Sequence, residues 1–493
     1  MSPRRPRLTR RRLLAGAGVV VVLVAAVAAY AVTHREGNVF NPNVEFGTEP
    51  QTPPPQQPPP PSPKKKGKKK TDPLANFAWP FYGYSADRRR VLAAPASLRP
   101  PYRRLWRLHQ RKLLEFSPVM GGKAIYLLDN GARLWAISKT TGATLWRRNL
   151  GVLAASSPAF GGNRVYATVL ERRSGTGGRV VALGTRRGHV VWSRSLPSRA
   201  ESSPLLDGGR IYFGTEDGTV YALRASDGAV RWTFHARGAV KGGLALWNGK
   251  LYFGDYAGRA YAIGMRDGHQ VWSVGTSGAH FGFSSGQFYA TPAVAYARVY
   301  MGNTDGNVYS FGARTGQLAW RHRTSAFVYA AAAVGQPRGG RPSVYVGSYD
   351  GNFYSLDARN GSVHWSYHDG GVISGAGTLV GNLVYFANVR SRHTVALNAR
   401  TGRRVWVFGD GAFNPVISDT RTIYLTGAHS LYAFRPRKAG AAGAAGARAH
   451  KRRVRHKAAH KQRAHKRKAA HKHRKRQRAR HRNGHKARQR SSG

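Results

Sequence analysis

The chain has 493 residues, of which 41% are hydrophobic and 11% aromatic, so it is too apolar to be disordered throughout and long enough for a large repeat fold. It contains 80 Lys and Arg but only 21 Asp and Glu, and the net charge of +59 indicates that part of it lies beside polyanions. The absence of cysteine excludes disulfides, thiolate metal sites and cysteine nucleophiles.

The amino terminus has the pattern of a membrane anchor. Residues 1–12 form an Arg-rich stub with six arginines, and residues 13–33 form an uncharged, mostly apolar run. As a helix this run spans about 30 Å, the thickness of a bilayer's hydrocarbon core. Because the positive charges precede it, the positive-inside rule places the stub in the cytoplasm and the rest of the chain outside. The sequence predicts a single-pass protein of the cell membrane with a transmembrane helix at 13–33.

Two alternative interpretations of this segment also export the remainder of the chain. Thr9–Leu14 resembles a twin-arginine export signal, and Ala29–Ala31 suits signal peptidase. The apolar run is longer than the 7 to 15 residues that are typical of a signal peptide, so an uncleaved anchor is the favoured interpretation.

Residues 34–101 are predicted to form a linker rich in proline and lysine. Proline fixes φ and removes an N–H donor, so the proline run from 48 onward predicts a semi-rigid polyproline II spacer. The six lysines of residues 64–70 are interpreted as solvated, and contact with anionic lipid headgroups is the alternative.

One pattern recurs between residues 102 and 435. It is clearest in residues 211–232, where two alternating strands flank Asp217-Gly218 and a third strand ends at Trp232. Tight turns need φ > 0 and therefore Gly or Asn, so this pattern predicts antiparallel meanders. The tryptophan returns every 40 to 48 residues, which is the period of a four-stranded propeller blade. The repeat tryptophans are Trp106, Trp146, Trp192, Trp232, Trp272, Trp320, Trp365 and Trp406, and the turn glycines are Gly142, Gly188, Gly228, Gly268, Gly316, Gly361 and Gly402.

The unequal ends of the repeat region give the number of blades. The chain enters with a single outer strand at Trp106 and ends with three strands in residues 414–434, so the two ends complete one blade. The prediction is an all-β fold, an eight-bladed β-propeller over residues 102–435 closed by strands from both termini, which leaves no exposed sheet edge at the closure. A seven-bladed or open array is the alternative.

The motif G-x-x-Y-A-L-x-x-x-[TDN]-G-x-x-x-W resembles the pyrroloquinoline-quinone (PQQ) repeat. That repeat is shared by quinoprotein alcohol dehydrogenases and by the non-enzymatic propeller of outer-membrane assembly lipoproteins. The resemblance implies that each repeat tryptophan stacks on the glycine peptide of a neighbouring repeat and has a structural role. The family's Asp after the Ala-Leu strand is kept only at Asp357, so the copies are imperfect.

The same resemblance implies, for a dehydrogenase, a calcium or lanthanide ion bound by Glu, Asn and Asp, a disulfide ring over the cofactor and an Asp base. This chain has no cysteine and only four glutamates after residue 100, namely Glu115, Glu171, Glu201 and Glu216. Glu216 is expected in a turn rather than on a channel wall. We therefore predict no catalytic residue, metal or cofactor, and a non-catalytic binding or assembly scaffold at the cell envelope. The alternatives are a PQQ-dependent dehydrogenase and a polyanion or nucleic-acid binder.

Two segments are candidates for ligand contact. An insertion at residues 275–292 carries His280, Phe281, Phe283 and Tyr289 and is predicted as a ligand-binding loop at the channel mouth, with an ordinary surface loop as the alternative. Lys241, close to Trp247 on an inner-strand segment, suggests an anion contact in the channel, with ordinary blade packing as the alternative.

The carboxyl-terminal residues 436–493 are predicted to be a disordered tail. From residue 437 they contain 23 Lys and Arg, eight His and no acidic residue, and they have no apolar face for a core. Such a segment binds anionic polymers by counterion release. Zinc or nickel binding by the histidines is the less favoured alternative, because neighbouring cations repel the metal. The predicted partners are thus envelope proteins or polymers, anionic polymers through the tail, and the membrane through residues 13–33.

Overall fold

The computed structural model describes residues 37–48, 77–171, 177–276, 286–411, 413–414 and 416–437, and these residues contain strands and turns but no helix. Two short strands, β1 (Val39–Phe40) and β2 (Val91–Leu92), precede the repeat region. The predicted 13–33 helix and the tail from residue 438 lie outside the described residues. Within the described part, no helix is long and apolar enough to cross a membrane.

The repeat region forms eight blades of four antiparallel strands, which confirms the predicted number. Each blade is a meander whose strands follow one another from the channel outward. Blade 1 has β4 (Val119–Gly121), β5 (Ala124–Leu128), β6 (Arg133–Ser138) and β7 (Thr144–Asn149); blade 2 has β8 (Ala159–Gly161), β9 (Arg164–Val169), β10 (Arg179–Gly184) and β11 (Val190–Ser195); blade 3 has β12 (Leu205–Asp207), β13 (Arg210–Gly214), β14 (Thr219–Arg224) and β15 (Val230–His235); blade 4 has β16 (Ala245–Trp247), β17 (Lys250–Gly254), β18 (Arg259–Gly264) and β19 (Gln270–Gly275). Blade 5 has β20 (Ala293–Ala295), β21 (Arg298–Gly302), β22 (Asn307–Gly312) and β23 (Leu318–Arg323); blade 6 has β24 (Ala333–Gly335), β25 (Ser343–Gly347), β26 (Asn352–Asp357) and β27 (Val363–His368); blade 7 has β28 (Thr378–Val380), β29 (Leu383–Asn388), β30 (His393–Asn398) and β31 (Arg404–Phe408).

Blade 8 is assembled from both ends of the chain. Its three inner strands are β32 (Val416–Ser418), β33 (Ile423–Thr426) and β34 (Ser430–Pro436), and its outer strand is β3 (Tyr102–His109). The Gln110 N–H donates to the His429 carbonyl oxygen at 2.7 Å where the two ends meet. The closure by strands from both termini is as predicted. Residues 100–103 and 436–437 form a separate small unit, in which the Arg437 N–H donates to the Pro101 carbonyl oxygen at 2.8 Å.

Seven repeat tryptophans each cover a turn glycine of the next blade. The pairs are Trp106 with Gly142, Trp146 with Gly188, Trp192 with Gly228, Trp232 with Gly268, Trp272 with Gly316, Trp320 with Gly361, and Trp365 with Gly402. These glycines have φ between 64° and 76°, and a Cβ on any of them would lie within 2.8 Å of the indole. Each of these indole N–H groups also donates to a carbonyl oxygen of the next blade at 2.8 to 3.2 Å.

The eighth tryptophan, Trp406, packs differently because blade 8 receives its outer strand from the amino-terminal end and so lacks the corresponding turn. Its ring lies edge-on to Phe434, with ring centres 5.7 Å apart, and stacks on Phe408.

Much of the predicted linker belongs to the folded unit. Residues 37–48 run along blade 5, where β1 pairs with β23. Residues 77–94, which we call the channel plug, cross the inner strands of six blades. The backbone hydrogen bonds join Trp79 to Met120, Pro80 to Phe160, Ala86 to Leu246, Asp87 to Val294, Arg89 to Val334, and Arg90 to Leu379. The folded unit therefore includes residues that the sequence analysis assigned to the linker, and Trp79, Phe81 and Tyr84 of this segment are buried.

Candidate binding site at the channel mouth

The meander divides the connections of every blade between two faces of the propeller. Connections between the second and third strands, and loops leading to the next blade, lie on one face, which we call the mouth face. Connections between the first and second strands, and between the third and fourth, lie on the opposite face, which we call the hairpin face. The channel plug contacts the middle residue of six inner strands, and Tyr82 of the plug faces a cavity that is otherwise lined by mouth-face loops.

A cavity of about 210 Å³ occupies the open end of the channel. Its walls come from loops of several blades and include Glu115, Lys241, Tyr289 and Tyr329, and Tyr82 of the channel plug also lines it. Typical sites for drug-sized ligands have volumes of roughly 300 to 1,000 Å³. This cavity is therefore suited to a small group or to a side chain inserted from outside.

Three glutamates and two cations form a continuous charge ladder on the mouth face. Arg199 lies 3.1 Å from a carboxylate oxygen of Glu171 and 3.7 Å from one of Glu216. The Lys241 ammonium then joins Glu216, at 2.8 Å, to Glu201, at 3.2 Å. The charge ladder draws its members from blades 2 to 4, and its net charge is −1 when all five groups are ionised.

The ionisation states of the charge ladder and its neighbours follow from their contacts. Burial lowers the pKa of Lys241, but its hydrogen bonds and attraction to Glu216 and Glu201 outweigh burial, so the pKa lies above its usual value. Burial, reinforced by the nearby Glu201 charge, raises the pKa of Tyr289 well above its usual value. Tyr289 is thus a hydroxyl donor, and its Oη donates to Glu201 Oε1 at 2.6 Å.

Tyrosines from blades 4 to 6 continue the site beyond the charge ladder. The rings of Tyr256, Tyr289, Tyr329 and Tyr349, which we call the aromatic arc, follow one another with centres 6.3, 5.7 and 5.0 Å apart. Phe327 extends the aromatic arc into solvent and is 48% exposed. Aromatic faces beside carboxylates favour apolar and cationic groups.

Two buried arginines of the channel plug lie inside the channel. The Arg88 guanidinium donates to the carbonyl oxygens of Leu244 at 2.8 Å and Tyr82 at 2.6 Å, and it also reaches Ser203 at 3.2 Å. The Arg90 guanidinium lies 4.3 Å from the centre of the Tyr82 ring. Burial lowers the pKa of Arg88 to about 9, and the nearby Arg90 charge acts in the same direction. These contacts fix the channel plug to the loops that shape the cavity.

The sequence analysis located this site only in part. Tyr289 of the predicted ligand loop does line the cavity, whereas His280, Phe281 and Phe283 lie outside the described residues. The Lys241 ammonium, suggested as an anion contact in the channel, is shared by the carboxylates of two glutamates of this chain. Glu216 lies in a turn, as expected, but that turn borders the channel mouth.

The residues present do not fit a PQQ and calcium site. Hard cations need several oxygen ligands at one point. Between Glu201 and Glu216 that point holds the Lys241 ammonium, and the second oxygen of Glu201 already accepts from Tyr289. Among the described residues, no group of three or more His, Asp or Glu is placed to hold a metal ion.

Comparison with known proteins places this architecture in a family. The family model described as outer membrane protein assembly factor BamB matches residues 102–174, 130–282 and 236–440. The chain belongs to the BamB family. The crystal structure of BamB from Moraxella catarrhalis is 16% identical, with a TM-score of 0.56 over 68% of this chain and 99% of that one.

Other solved structures share the fold of this BamB-family chain. Quinohemoprotein alcohol dehydrogenase from Comamonas testosteroni is 13% identical, with a TM-score of 0.60 over 73% of this chain and 81% of that one. The computationally designed protein Ika8 is 15% identical, with a TM-score of 0.57 over 67% of this chain and 99% of that one. At such identities these likenesses show the fold alone. Comparison with curated proteins found no match. The predicted membership of the PQQ-repeat propellers is confirmed.

Proposed function

We propose that this BamB-family chain is a membrane-anchored, extracytoplasmic propeller that acts as a non-catalytic binding or assembly scaffold at the cell envelope. The observation that carries the proposal is the charge ladder, in which three glutamates at the mouth are already paired with Lys241 and Arg199. Paired carboxylates are poorly available as metal ligands or general bases, but they form a fixed polar rim around an apolar centre. Such a rim is typical of protein recognition surfaces.

The mouth is suited to a polypeptide partner. A cavity of about 210 Å³ accepts one large side chain, and the aromatic arc extends from it across the loops of three blades. Aromatic residues at the centre of a contact surface carry much of the energy of protein association. We propose that a partner inserts an apolar or cationic side chain into the cavity and lies along the aromatic arc.

The anchor is part of the proposal. The uncharged run at 13–33 and the six preceding arginines support a helix with its amino-terminal end in the cytoplasm. Protease added to intact cells should then remove the propeller. Protection of the propeller would contradict the extracytoplasmic assignment without bearing on the mouth itself.

Crosslinked pull-downs from intact cells test the binding role. A chain with Tyr329→Ser and Tyr349→Ser should lose a partner that the parent chain recovers, because the aromatic arc is interrupted. Tyr367→Ser is the matched control, since it removes a tyrosine on the outer strand of blade 6, where the ring packs against Phe386 and is not part of the aromatic arc. Equal recovery by all three chains would contradict a partner site at the mouth.

A further inference from the structure

The cavity at the channel mouth contains a carboxylate that is not paired with a cation. Glu115 is half-buried and lines the cavity, and its Oε2 accepts from Asn130 Nδ2 at 2.7 Å. Within the described part of the chain, its other oxygen accepts no hydrogen bond, and no Lys or Arg forms an ion pair with it. Burial raises the pKa of the Glu115 carboxyl, and the nearby Glu201 charge acts in the same direction, against the hydrogen bond from Asn130. A carboxylate that is partly removed from water and lacks a counter-ion favours the binding of a cation.

Among the described residues that line the cavity, the one cation does not neutralise Glu115. That cation is Lys241, and its ammonium is held by Glu201 at 3.2 Å and by Glu216 at 2.8 Å. After burial, the charges of Glu201 and Glu115 both contribute to the raised pKa of Tyr289, so both carboxylates act on the same wall of the cavity. The charge ladder has a net charge of −1, and Glu115 adds a second negative charge at the cavity.

Aromatic rings surround this negative charge. The aromatic residues that line the cavity are Tyr82, Phe116, Tyr289, Tyr329, Tyr349 and Phe413. Two rings at the mouth already contact cations of this chain. The Arg90 guanidinium lies 4.3 Å from the centre of the Tyr82 ring, and the Lys241 ammonium lies 5.2 Å from that of Tyr256. Aromatic faces attract ammonium and guanidinium groups, and the attraction is stronger where water is excluded.

The two buried arginines of the channel plug do not serve as counter-ions of Glu115. The Arg88 guanidinium donates to the carbonyl oxygens of Leu244 and Ser203, and Arg90 Nη1 donates to the Arg88 carbonyl oxygen at 3.0 Å. Their hydrogen bonds are thus directed to the backbone. The channel plug therefore leaves Glu115 available to a cation from outside.

From these observations we propose that the mouth cavity is a receptor for a basic side chain of the polypeptide partner, and that Glu115 is the counter-ion. The guanidinium or ammonium group enters the cavity, pairs with the free oxygen of Glu115 and contacts the tyrosine faces, while the partner's backbone lies along the aromatic arc. The proposed function supplies the polypeptide partner on which this inference rests. The inference adds the chemistry of the side chain that the cavity selects.

A polypeptide is favoured over a free amine because the site continues beyond the cavity. The aromatic arc leads from Tyr289 to Tyr349, and Phe327, which is 48% exposed, extends it into solvent. A free amine would use the cavity alone, whereas a peptide also gains contact with these rings. Arginine is the better fit of the two basic residues, because its planar guanidinium stacks on an aromatic ring and pairs with a carboxylate at the same time.

The chain's lack of cysteine allows a direct test with single thiols in the full chain. Ser374→Cys places a thiol on the cavity wall, and Ser325→Cys places one on an exposed loop of the mouth face. The rate of modification by a trimethylammonium methanethiosulfonate is divided by the rate with its sulfonate analogue, which cancels the thiol's own reactivity. This cation-to-anion ratio should be at least about tenfold higher at position 374 than at position 325, because a charge in a partly dry site acts strongly.

A charge variant identifies the group responsible. In Glu115→Gln the side chain keeps an acceptor for Asn130 but loses its charge, so the ratio at position 374 should fall roughly tenfold while that at position 325 stays the same. Glu45→Gln is the control, because it removes an equal charge beside Arg314 on the hairpin face and should alter neither ratio. A thiol at position 374 that no reagent modifies, or a ratio there that Glu115→Gln leaves unchanged, would overturn the proposal.

Peptide protection distinguishes a basic side chain from other cations. The probes are a capped pentapeptide with arginine between glycine pairs and its citrulline counterpart, which has nearly the same shape without the charge. The arginine peptide should protect the thiol at position 374 from a neutral reagent at a concentration about tenfold lower than the citrulline peptide. Equal protection by the two peptides would reject the charge selectivity. Protection by butylguanidinium at as low a concentration as the arginine peptide would point to a free small cation and reject the polypeptide.

The crosslinked pull-down separates failure of this inference from failure of the proposed function. Glu115→Gln should lose the partner that the parent chain recovers, as the double tyrosine variant should. Loss in the tyrosine variant with full recovery by Glu115→Gln would leave the scaffold function standing and reject the basic side chain. If no partner is recovered at the mouth, the proposed function fails, and the thiol rates and peptide protection still decide whether the cavity selects cations.

Discussion

The hairpin face and the mouth face are built from the same repeat but differ in construction. The turns between the third and fourth strands on the hairpin face have five residues in each of blades 1 to 7, and a tryptophan covers the glycine of each. The loops that enter the next blade on the mouth face vary in length and supply the charge ladder, the aromatic arc and the cavity. Regular packing is thus concentrated on one face and chemical variety on the other. We expect perturbations of the two faces to have different consequences.

The largest expected effect is on the affinity for anionic polymers, and it distinguishes the contribution of the basic tail from that of the propeller. Removal of residues 437–493 should eliminate most binding to DNA or polyphosphate, because binding by neutralisation of phosphates dominates in a segment with 23 cations and no acid. If the parent chain contacts six to ten phosphates, raising the salt concentration from 50 to 200 mM should lower its affinity roughly 10³- to 10⁵-fold.

Salt titrations of the full and shortened chains measure this. The shortened chain should still bind weakly through the cations of the propeller, and its affinity should depend less steeply on salt. Equal affinity of the two chains, or strong sequence preference at 200 mM salt, would refute the charge-only account of the tail.

The next effect concerns the channel plug, which crosses the inner strands of six blades. Arg88→Met should destabilise the propeller by about 3 kcal/mol, because buried carbonyl oxygens of Leu244, Tyr82 and Ser203 lose their donor. Arg89→Met is the control, since the Arg89 side chain is partly exposed and pairs with Asp87. Denaturant unfolding followed by tryptophan fluorescence should show a much smaller shift for the control. Similar shifts would contradict the stabilising role assigned to the buried hydrogen bonds of Arg88.

A smaller effect tests the tryptophan contacts of the hairpin face. Gly228→Ala places a Cβ 2.7 Å from the Trp192 ring and forces a left-handed alanine, at φ 76°. Gly249→Ala creates the same backbone strain, at φ 71°, but its Cβ meets nothing within 4 Å. The unfolding free energy of the first variant should therefore be lower by about 2 kcal/mol than that of the second. Equal losses would show that backbone strain alone explains the glycine.

The charge ladder of the mouth face should contribute less to stability. Lys241→Met removes the cation shared by the partly exposed Glu216 and the buried Glu201, which keeps its hydrogen bond from Tyr289. This change should cost about 1 kcal/mol at pH 7, because solvent at Lys241 and Glu216 screens the pairing. Because the pKa of Lys241 is raised in the folded protein, the loss should be fully present below the ordinary lysine pKa of 10.5 and should disappear as the pH rises through the folded value. A difference between parent and variant that persists at high pH would contradict this pairing.

For dehydrogenase activity we expect no effect of added cofactor. Purified protein supplied with PQQ and calcium or a lanthanide should not oxidise alcohols or sugars in a dye-linked assay, because Lys241 occupies the position between the two glutamates. Turnover that requires both additions would revive the dehydrogenase alternative.

The sequence predicts the propeller better than it predicts the mouth. The blade number and the closure at Trp106 follow from a regular tryptophan interval, because each repeat encodes one local meander. The charge ladder joins Glu171, Glu201 and Lys241 from different blades, and their spacing along the chain does not predict these contacts.

The channel plug did carry a signal that the linker interpretation overlooked. Residues 77–84 contain five aromatic side chains, which is unusual for a solvated proline-rich linker. Trp79 is 1% exposed and packs at the inner strand of blade 1, so an aromatic cluster of this kind indicates a buried segment.

Photocrosslinking from both faces in intact cells tests the central claim most directly, namely that the mouth face, and not the hairpin face, contacts a protein partner. Phe327 on the mouth face and Thr315 on the hairpin face are both exposed and both adjoin blade 5, so a photoreactive residue at each samples the two sides of one blade. We predict protein adducts from position 327 and none of these adducts from position 315. The same protein adducts from both positions, or none from position 327, would contradict the account.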